Sequence, residues 1–382
     1  MKDLVAFVVS SINMERSVAI NLNMALKVLF TSMKSDFKKE FSLAFGDYCE
    51  VYEGTDNTSK VVGSKVYLLL VYVDDILIVA DAEELARLEK EFICMFKWIT
   101  MSVGPSHSYI GMQISVRGGT ITLDMRYYLK KILECCDAPK AAVVTPGGKD
   151  TFLVDGASRF LAEVSKKRFH TLVAKLLYLS KRARPDIIAV VGFICTRVRN
   201  PTKEDERKLS RVLSYLHGSK NQVMKMQPSR IFRVEAFVDA SFVAHPDGKS
   251  HSGIVIQVGG VSVYFGSRKQ KCVSSLTEAK LVALSDTLGF VELFVELLGF
   301  VMDLTPLKLM IHQDSTSVIT MVAEGGGATR IGYKHTKEMK VDGLTKTLGG
   351  AEFISFRVDV LHLTESTGGH IIMANEKKGN LV

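Results

Sequence analysis

Along residues 66–80 two apolar runs, Val66–Val73 and Ile76–Ala80, flank a pair of adjacent carboxylates, Asp74 and Asp75. Both runs are dominated by β-branched and aliphatic residues, which predicts two buried strands. The chain must turn between them, so the two Asp residues sit at the tip of a hairpin, where Asp suits the geometry. From Ala82 to Phe96 charged residues interleave with Leu85, Leu88, Phe92 and Met95 at helical spacing, an amphipathic helix. A strand over Thr120–Leu123 and a helix over Met125–Cys135 follow. Leu172, Leu176, Leu177 and Tyr178 again recur at helical spacing. Pro185 opens a second helix in this block, and Pro201-Thr202-Lys203-Glu204-Asp205 opens a third.

Beyond Phe232 the period shortens. Val234–Ser241 alternates apolar residues and carries Asp239 near its end; Gly253–Val258 and Val261–Phe265 form a hairpin through Gly259-Gly260. A long helix spans Ser275–Phe300 with Glu278 in its first turn. Leu307–Ile311 is a strand leading to His312-Gln313-Asp314, with a helix from Ser315.

The carboxylates suggest chemistry. Asp74 and Asp75 on an apolar hairpin raise one another's pKa unless a cation neutralises them, and Mg²⁺ prefers oxygen ligands. The plainer alternative is one Asp capping the turn beside a solvated neighbour. Taken singly, Asp239, Glu278 and Asp314 read as caps or surface residues.

Composition narrows the class. The chain has 382 residues, enough for two or three domains. Hydrophobic residues make up 47% and charged residues 24%, which excludes a disordered tail. A formal charge of +8 favours a polyanionic partner. The six Cys residues contain no Cys-x-x-Cys pair, only the adjacent Cys135 and Cys136. That argues against zinc sites and disulfide frameworks and fits a reducing compartment. The apolar stretch 288–302 is interrupted by Glu292 and Glu296, so a buried helix is expected, not a membrane span. A soluble intracellular protein with no membrane partner is expected.

Tyr72-Val73-Asp74-Asp75 between two apolar strands resembles the signature hairpin of reverse transcriptases. LVAKLLYLSKRARPDI followed by RVLSYLHGS, then DASFVAHPDGKSHSGIVIQVGG and SSLTEAKLVALSD, resemble the reverse transcriptase and RNase H part of the Pol polyprotein of copia-type LTR retrotransposons. The resemblance implies an α+β fold. A partial reverse transcriptase palm (1–137) and a linker (138–158) would precede a helical thumb or connection (159–228). An RNase H-like α/β domain with a mixed sheet (229–350) and a tail (351–382) would follow. The palm is expected to be truncated and DNA synthesis lost: the family's polymerase uses three Asp residues, almost no chain is left upstream to hold the first, and Asp3 is the only upstream Asp on a strand-like run.

The roles implied are those of two-metal phosphoryl transfer with Mg²⁺ or Mn²⁺. Asp74 and Asp75 would bind the polymerase metals, and Asp239, Glu278 and Asp314 the nuclease metals. Asp342, in Val341-Asp342-Gly343-Leu344-Thr345-Lys346, would be a fourth acid. Tyr72, Tyr109, Gly111, Lys208 and Arg211 would contact nucleic acid, with Ser108–Ile114 a strand gripping the primer end. RNA–DNA hybrids, DNA, RNA and other Pol fragments are the implied partners, in the cytoplasm (in a virus-like particle) or the nucleus. Two departures stand out. Only Glu324–Lys340 separates the third element from the Asp342 motif, and Lys280 stands where the family usually has an acidic residue. The rival reading is a catalytically dead, nucleic-acid-binding remnant; a host protein reusing the fold for protein contacts would need a large exposed apolar patch.

Overall fold

The computed structural model describes residues 4–10, 49–54, 65–72, 75–95, 100–136, 141–229, 233–271, 273–302, 309–324 and 330–366. They fall into two compact units divided between Gly118 and Gly119, with Glu292–Met302 also counted in the first. The expected boundaries at 137/138, 158/159 and 228/229 all lie within the second unit.

In the first unit β1 (Leu4–Ser10), β2 (Cys49–Gly54), β3 (Lys65–Tyr72), β4 (Asp75–Asp81) and β5 (Thr100–Val103) form an antiparallel sheet in the order β2-β3-β4-β1-β5. Tyr72 pairs with Asp75, so β3 and β4 are the arms of the expected hairpin. After β4, α1 (Ala82–Met95) buries Leu85 and Phe92, two turns apart on one face. The strand expected over 108–114 is instead two strands, β6 (Ser106–Tyr109) and β7 (Met112–Arg117). They are joined by a two-residue turn in which Ile110 (φ 43°) and Gly111 (φ 74°) both take left-handed backbone. That is the geometry a tight hairpin demands; glycine adopts it freely and a β-branched Ile does not.

The second unit begins with β8 (Thr120–Asp124) and α2 (Arg126–Glu134), followed by α3 (Glu163–Ser180), α4 (Ile188–Cys195) and α5 (Lys203–Gly218). Thr202 caps α5: its hydroxyl accepts from the Asp205 amide while the Asp205 carboxylate accepts from the Thr202 amide at 2.8 Å. Between α3 and α4, Arg184 and Asp186 are buried together, their side chains 2.7 Å apart. The Tyr215 hydroxyl of α5 donates to Asp186 at 2.5 Å and Arg184 donates to Ser219 Oγ at 2.7 Å, tying that turn to the end of α5. Residues 141–158, expected as a linker, pack against α5. Thr151 is buried, Asp150 pairs with Arg207, and Lys208 donates to the Leu153 carbonyl.

The chain then forms β9 (Gln222–Met226), β10 (Val234–Ser241), β11 (His251–Val258), β12 (Val261–Lys269), α6 (Leu276–Met302), β13 (Leu309–Gln313), α7 (Thr316–Glu324) and β14 (Ile331–Tyr333). It ends in α8 (Asp342–Thr345), α9 (Gly350–Ser355) and β15 (Leu363–Glu365). The main sheet runs β12-β11-β10-β13-β14; β11 pairs antiparallel with both β10 and β12, β13 joins parallel to β10, and β14 joins parallel to β13. Gly259 and Gly260, both left-handed, make the β11–β12 turn that the sequence predicts. Phe237, Val255 and Val261 from this sheet pack with Val341, Leu344 and Phe356 into one core, which anchors α8.

Candidate carboxylate site

Asp239 and Asp314 are brought level by strand register. β10 and β13 are adjacent and parallel, with Phe237 beside His312. Two residues further along, Asp239 and Asp314 point to the same face as those two, because side chains alternate with period two. Lys280, in the second turn of α6, lies between them. Its ammonium is 3.0 Å from Asp239 Oδ1 and is ion-paired with Asp314 Oδ1. The three side chains are nearly closed off from solvent, at 11%, 10% and 7% exposure for Lys280, Asp239 and Asp314. Asp314 Oδ2 also accepts from the Thr336 hydroxyl at 3.0 Å. Burial pushes the Asp239 carboxyl up and Lys280 opposes it, leaving its pKa raised. Burial pulls Lys280 down, but the Asp314 and Asp239 carboxylates outweigh it and its pKa is raised.

Glu278 does not join this group, which corrects its expected role as a metal ligand. Its Oε2 accepts from the Ser274 amide at 2.6 Å and from the Ser274 hydroxyl, while its own amide donates to Ser275 Oγ at 3.1 Å. These bonds hold its pKa below the usual carboxylate range. It caps α6. The physical reason is helical pitch: at about 100° per residue, Glu278 and Lys280 sit roughly 160° apart around the axis. Lys280 shares the inward face with the buried Ala283, Leu284 and Thr287.

Asp342 opens α8, and its Oδ2 lies 2.7 Å from Lys346 Nζ. The helix itself is seated on Gly253, the β11 residue paired with Asp239. A Cβ at Gly253 would come within 2.6 Å of Thr345 Cγ2. The helix is therefore near the site, and its acid is spent on a lysine. Among the described residues, no group of three or more His, Cys, Asp or Glu side chains is placed to hold a metal ion. Two carboxylates with an ammonium between them do not fit a divalent cation, which needs that position and more oxygen ligands.

In the first unit, Asp75 starts β4, and Asp74 and Asp3 lie outside the described residues. Leu4 pairs with Asp81, whereas Val9 pairs with Ile76. The start of β1 thus lies at the far end of β4 from Asp75, about 20 Å away at the rise of a strand.

Two of the expected nucleic-acid contacts are corrected by burial. Tyr109 is 6% exposed and packs with Leu77, and Lys208 is 5% exposed with its ammonium on the Leu153 carbonyl. Burial also lowers the Lys208 pKa. Arg211 is half-buried and donates to the Thr145 hydroxyl at 3.0 Å, and Gly111 is a turn residue. The side chain of Tyr72 is outside the described residues. Exposed basic side chains include Lys130 and Lys131 on α2, Lys167 and Arg168 on α3, and Lys220 after α5. No described helix is long and apolar enough to cross a membrane.

No family model matches the chain. It is 28% identical over 268 residues to the retrovirus-related Pol polyprotein from transposon TNT 1-94 of Nicotiana tabacum, covering 66% of this chain and 20% of that protein. The Pol polyprotein from transposon RE2 of Arabidopsis thaliana is 24% identical over 336 residues, covering 80% of this chain and 23% of its own length. An uncharacterized mitochondrial protein of Arabidopsis thaliana is 26% identical over 224 residues, which is 57% of this chain and 90% of that protein. Among solved structures, prototype foamy virus protease-reverse transcriptase aligns with 74% of this chain and 37% of its own at 11% identity. Its TM-score of 0.23 is too low to establish a shared fold. The resemblance to transposon Pol polyproteins is therefore borne out: the chain is similar to them over much of its length and spans about a fifth of theirs.

Proposed function

We propose that this chain is a fragment of a copia-type retrotransposon Pol polyprotein, from its reverse transcriptase and RNase H region, that binds nucleic acid and does not cleave it. Similarity to transposon Pol polyproteins supports the origin. The strand order of the second unit's main sheet, three antiparallel strands followed by two parallel ones, supports an RNase H-like domain there. One observation carries the non-catalytic reading: the Lys280 ammonium stands between Asp239 and Asp314 while Glu278 caps its helix at the surface. Asp74 and Asp75 would be the remaining polymerase acids, in a chain that does not synthesise DNA. Binding would rest on the excess of positive charge, +8 over the chain, with Lys167 and Arg168 as exposed candidates.

The test is the full chain with a labelled RNA–DNA hybrid in Mg²⁺ or Mn²⁺. Expected are intact hybrid and a binding constant that falls log-linearly with salt as phosphates are neutralised. Metal-dependent cleavage that disappears in Asp239→Asn would overturn the non-catalytic reading, and binding indifferent to salt would overturn the electrostatic one.

A further inference from the structure

We infer that Lys280 is a built-in substitute for a bound cation, and that the edge formed by Asp239 and Asp314 accepts a divalent cation once that ammonium is removed. The inference rests on the geometry of these three residues and stands whether or not the chain binds nucleic acid. Two carboxylates brought level on adjacent strands and nearly withdrawn from water repel one another, and such a pair is held ionised only by a nearby positive charge. The described structure offers that charge at one atom, Lys280 Nζ, in contact with both acids. It is delivered by α6, whose inward face is fixed by Ala283 and Leu284, each 1% exposed. Lysine suits the place because its charge is compact and sits on a long apolar stem that can be buried. A tethered ammonium needs no ion from solution and competes with any that arrives. A single positive charge against two negative ones leaves the edge anionic, however, and the Thr336 hydroxyl satisfies part of Asp314 without neutralising it. Removing the ammonium leaves two converging carboxyl groups that must share a proton or take a cation in its place, and their oxygens are the donors that hard divalent cations take.

The test uses the full chain and Mn²⁺ as the probe, read by thermal unfolding and by electron paramagnetic resonance of bound Mn²⁺. Wild type is expected to show no Mn²⁺-dependent change in Tm and no saturable site at this edge. Lys280→Gln is expected to melt lower in chelator and to regain Tm as Mn²⁺ is added, with one added bound ion. That gain is expected to vanish in Lys280→Gln/Asp239→Asn. If Lys280→Gln does not fold in chelator, folding on addition of Mn²⁺ is the same result. Lys280→Arg keeps the charge and is expected to fold and stay indifferent to Mn²⁺. A wild-type Mn²⁺ site that is lost in Asp239→Asn would overturn the inference, as would a folded Lys280→Gln that gains no site or a Lys280→Arg that gains one.

Discussion

His245 Nε2 lies 2.9 Å from His251 Nδ1, and His251 Nε2 lies 2.7 Å from Ser267 Oγ. The Ser267 hydroxyl donates to the Leu344 carbonyl at 2.8 Å. With that proton committed, the direction of the whole chain follows: His251 donates from Nε2 and accepts at Nδ1, and His245 donates from Nε2. Both rings are then neutral. Four segments of the second unit, from the loop after β10 through β11 and β12 to α8, are joined by one line of hydrogen bonds.

Acid breaks that line. Burial holds His245 at about 4 and His251 at about 3, both below the ordinary 6.5, with Lys269 adding to both and the His245 ring adding to the lowering at His251. In the unfolded chain both titrate near 6.5, so between that value and the folded ones the unfolded state binds more protons. Stability is therefore full above about 6.5 and falls as the pH is lowered towards 4. Half-buried His362, its pKa also lowered by desolvation, acts in the same direction. Urea unfolding at pH 7 and at pH 5 should show a lower midpoint at pH 5, and His251→Gln should flatten the difference. An unchanged midpoint would show that the histidines are not held neutral.

Replacing Asp186 by Asn should be among the most damaging single changes in the second unit. Arg184 is 2% exposed, and its charge is answered by Asp186, itself 5% exposed. Asn leaves the guanidinium buried without a counter-charge, at a cost of about 3–5 kcal/mol. The double change Arg184→Met/Asp186→Leu should recover much of that loss, because both charges go together. Equilibrium urea unfolding of the three variants decides it; a small loss in Asp186→Asn would mean that water reaches Arg184.

Lys208 of α5 serves packing inside the second unit, where it is 5% exposed. Its ammonium donates to the Leu153 carbonyl and lies 5.0 Å from the centre of the Phe193 ring. Lys208→Gln should lower stability by about 1–3 kcal/mol through loss of a buried charged hydrogen bond. The salt slope of hybrid binding should stay where it is, whereas Lys167→Gln should reduce it. A Lys208→Gln variant of wild-type stability with a reduced slope would restore the residue to the binding surface.

Much of the fold was legible because local signals agreed. Alternation located β10 and β11, the Gly-Gly pair located their neighbour's turn, and Pro201-Thr202 with Asp205 marked the start of α5. The Ile110-Gly111 turn was missed because a β-branched residue at positive φ hides a hairpin inside what reads as one strand. At the candidate site, the strand-borne acids Asp239 and Asp314 were placed by period and order. Glu278 was placed by order alone, and two signals spoke against it. Ser275-x-x-Glu278 is the spacing of a capping box, and Lys280, not Glu278, falls on the stripe that continues through Leu284 and Thr287. Burial of Lys208 and Tyr109 was not legible, since it depends on residues 141–158 and on Leu77, distant in sequence.

Gly253 decides how closely α8 can sit on the sheet. A Cβ there would lie 2.6 Å from Thr345 Cγ2 and 2.8 Å from Val341 Cγ2, both shorter than carbon atoms tolerate. Neither neighbour can simply turn aside: Val341 and Thr345 are fully buried, and both are β-branched. Gly253→Ala must then lift α8, an overpacking that costs about 1–3 kcal/mol. Lifting α8 also draws the Leu344 carbonyl away from Ser267, so the histidine line loses its terminal acceptor. The variant should therefore unfold at a lower urea concentration at pH 7 and lose less on going to pH 5 than wild type does. Adding Thr345→Ser, which removes the nearer clashing methyl and keeps the hydroxyl, should recover part of both effects. A Gly253→Ala variant as stable as wild type, with the same response to acid, would show that α8 moves freely and that its seat on β11 does not set the position of Asp342.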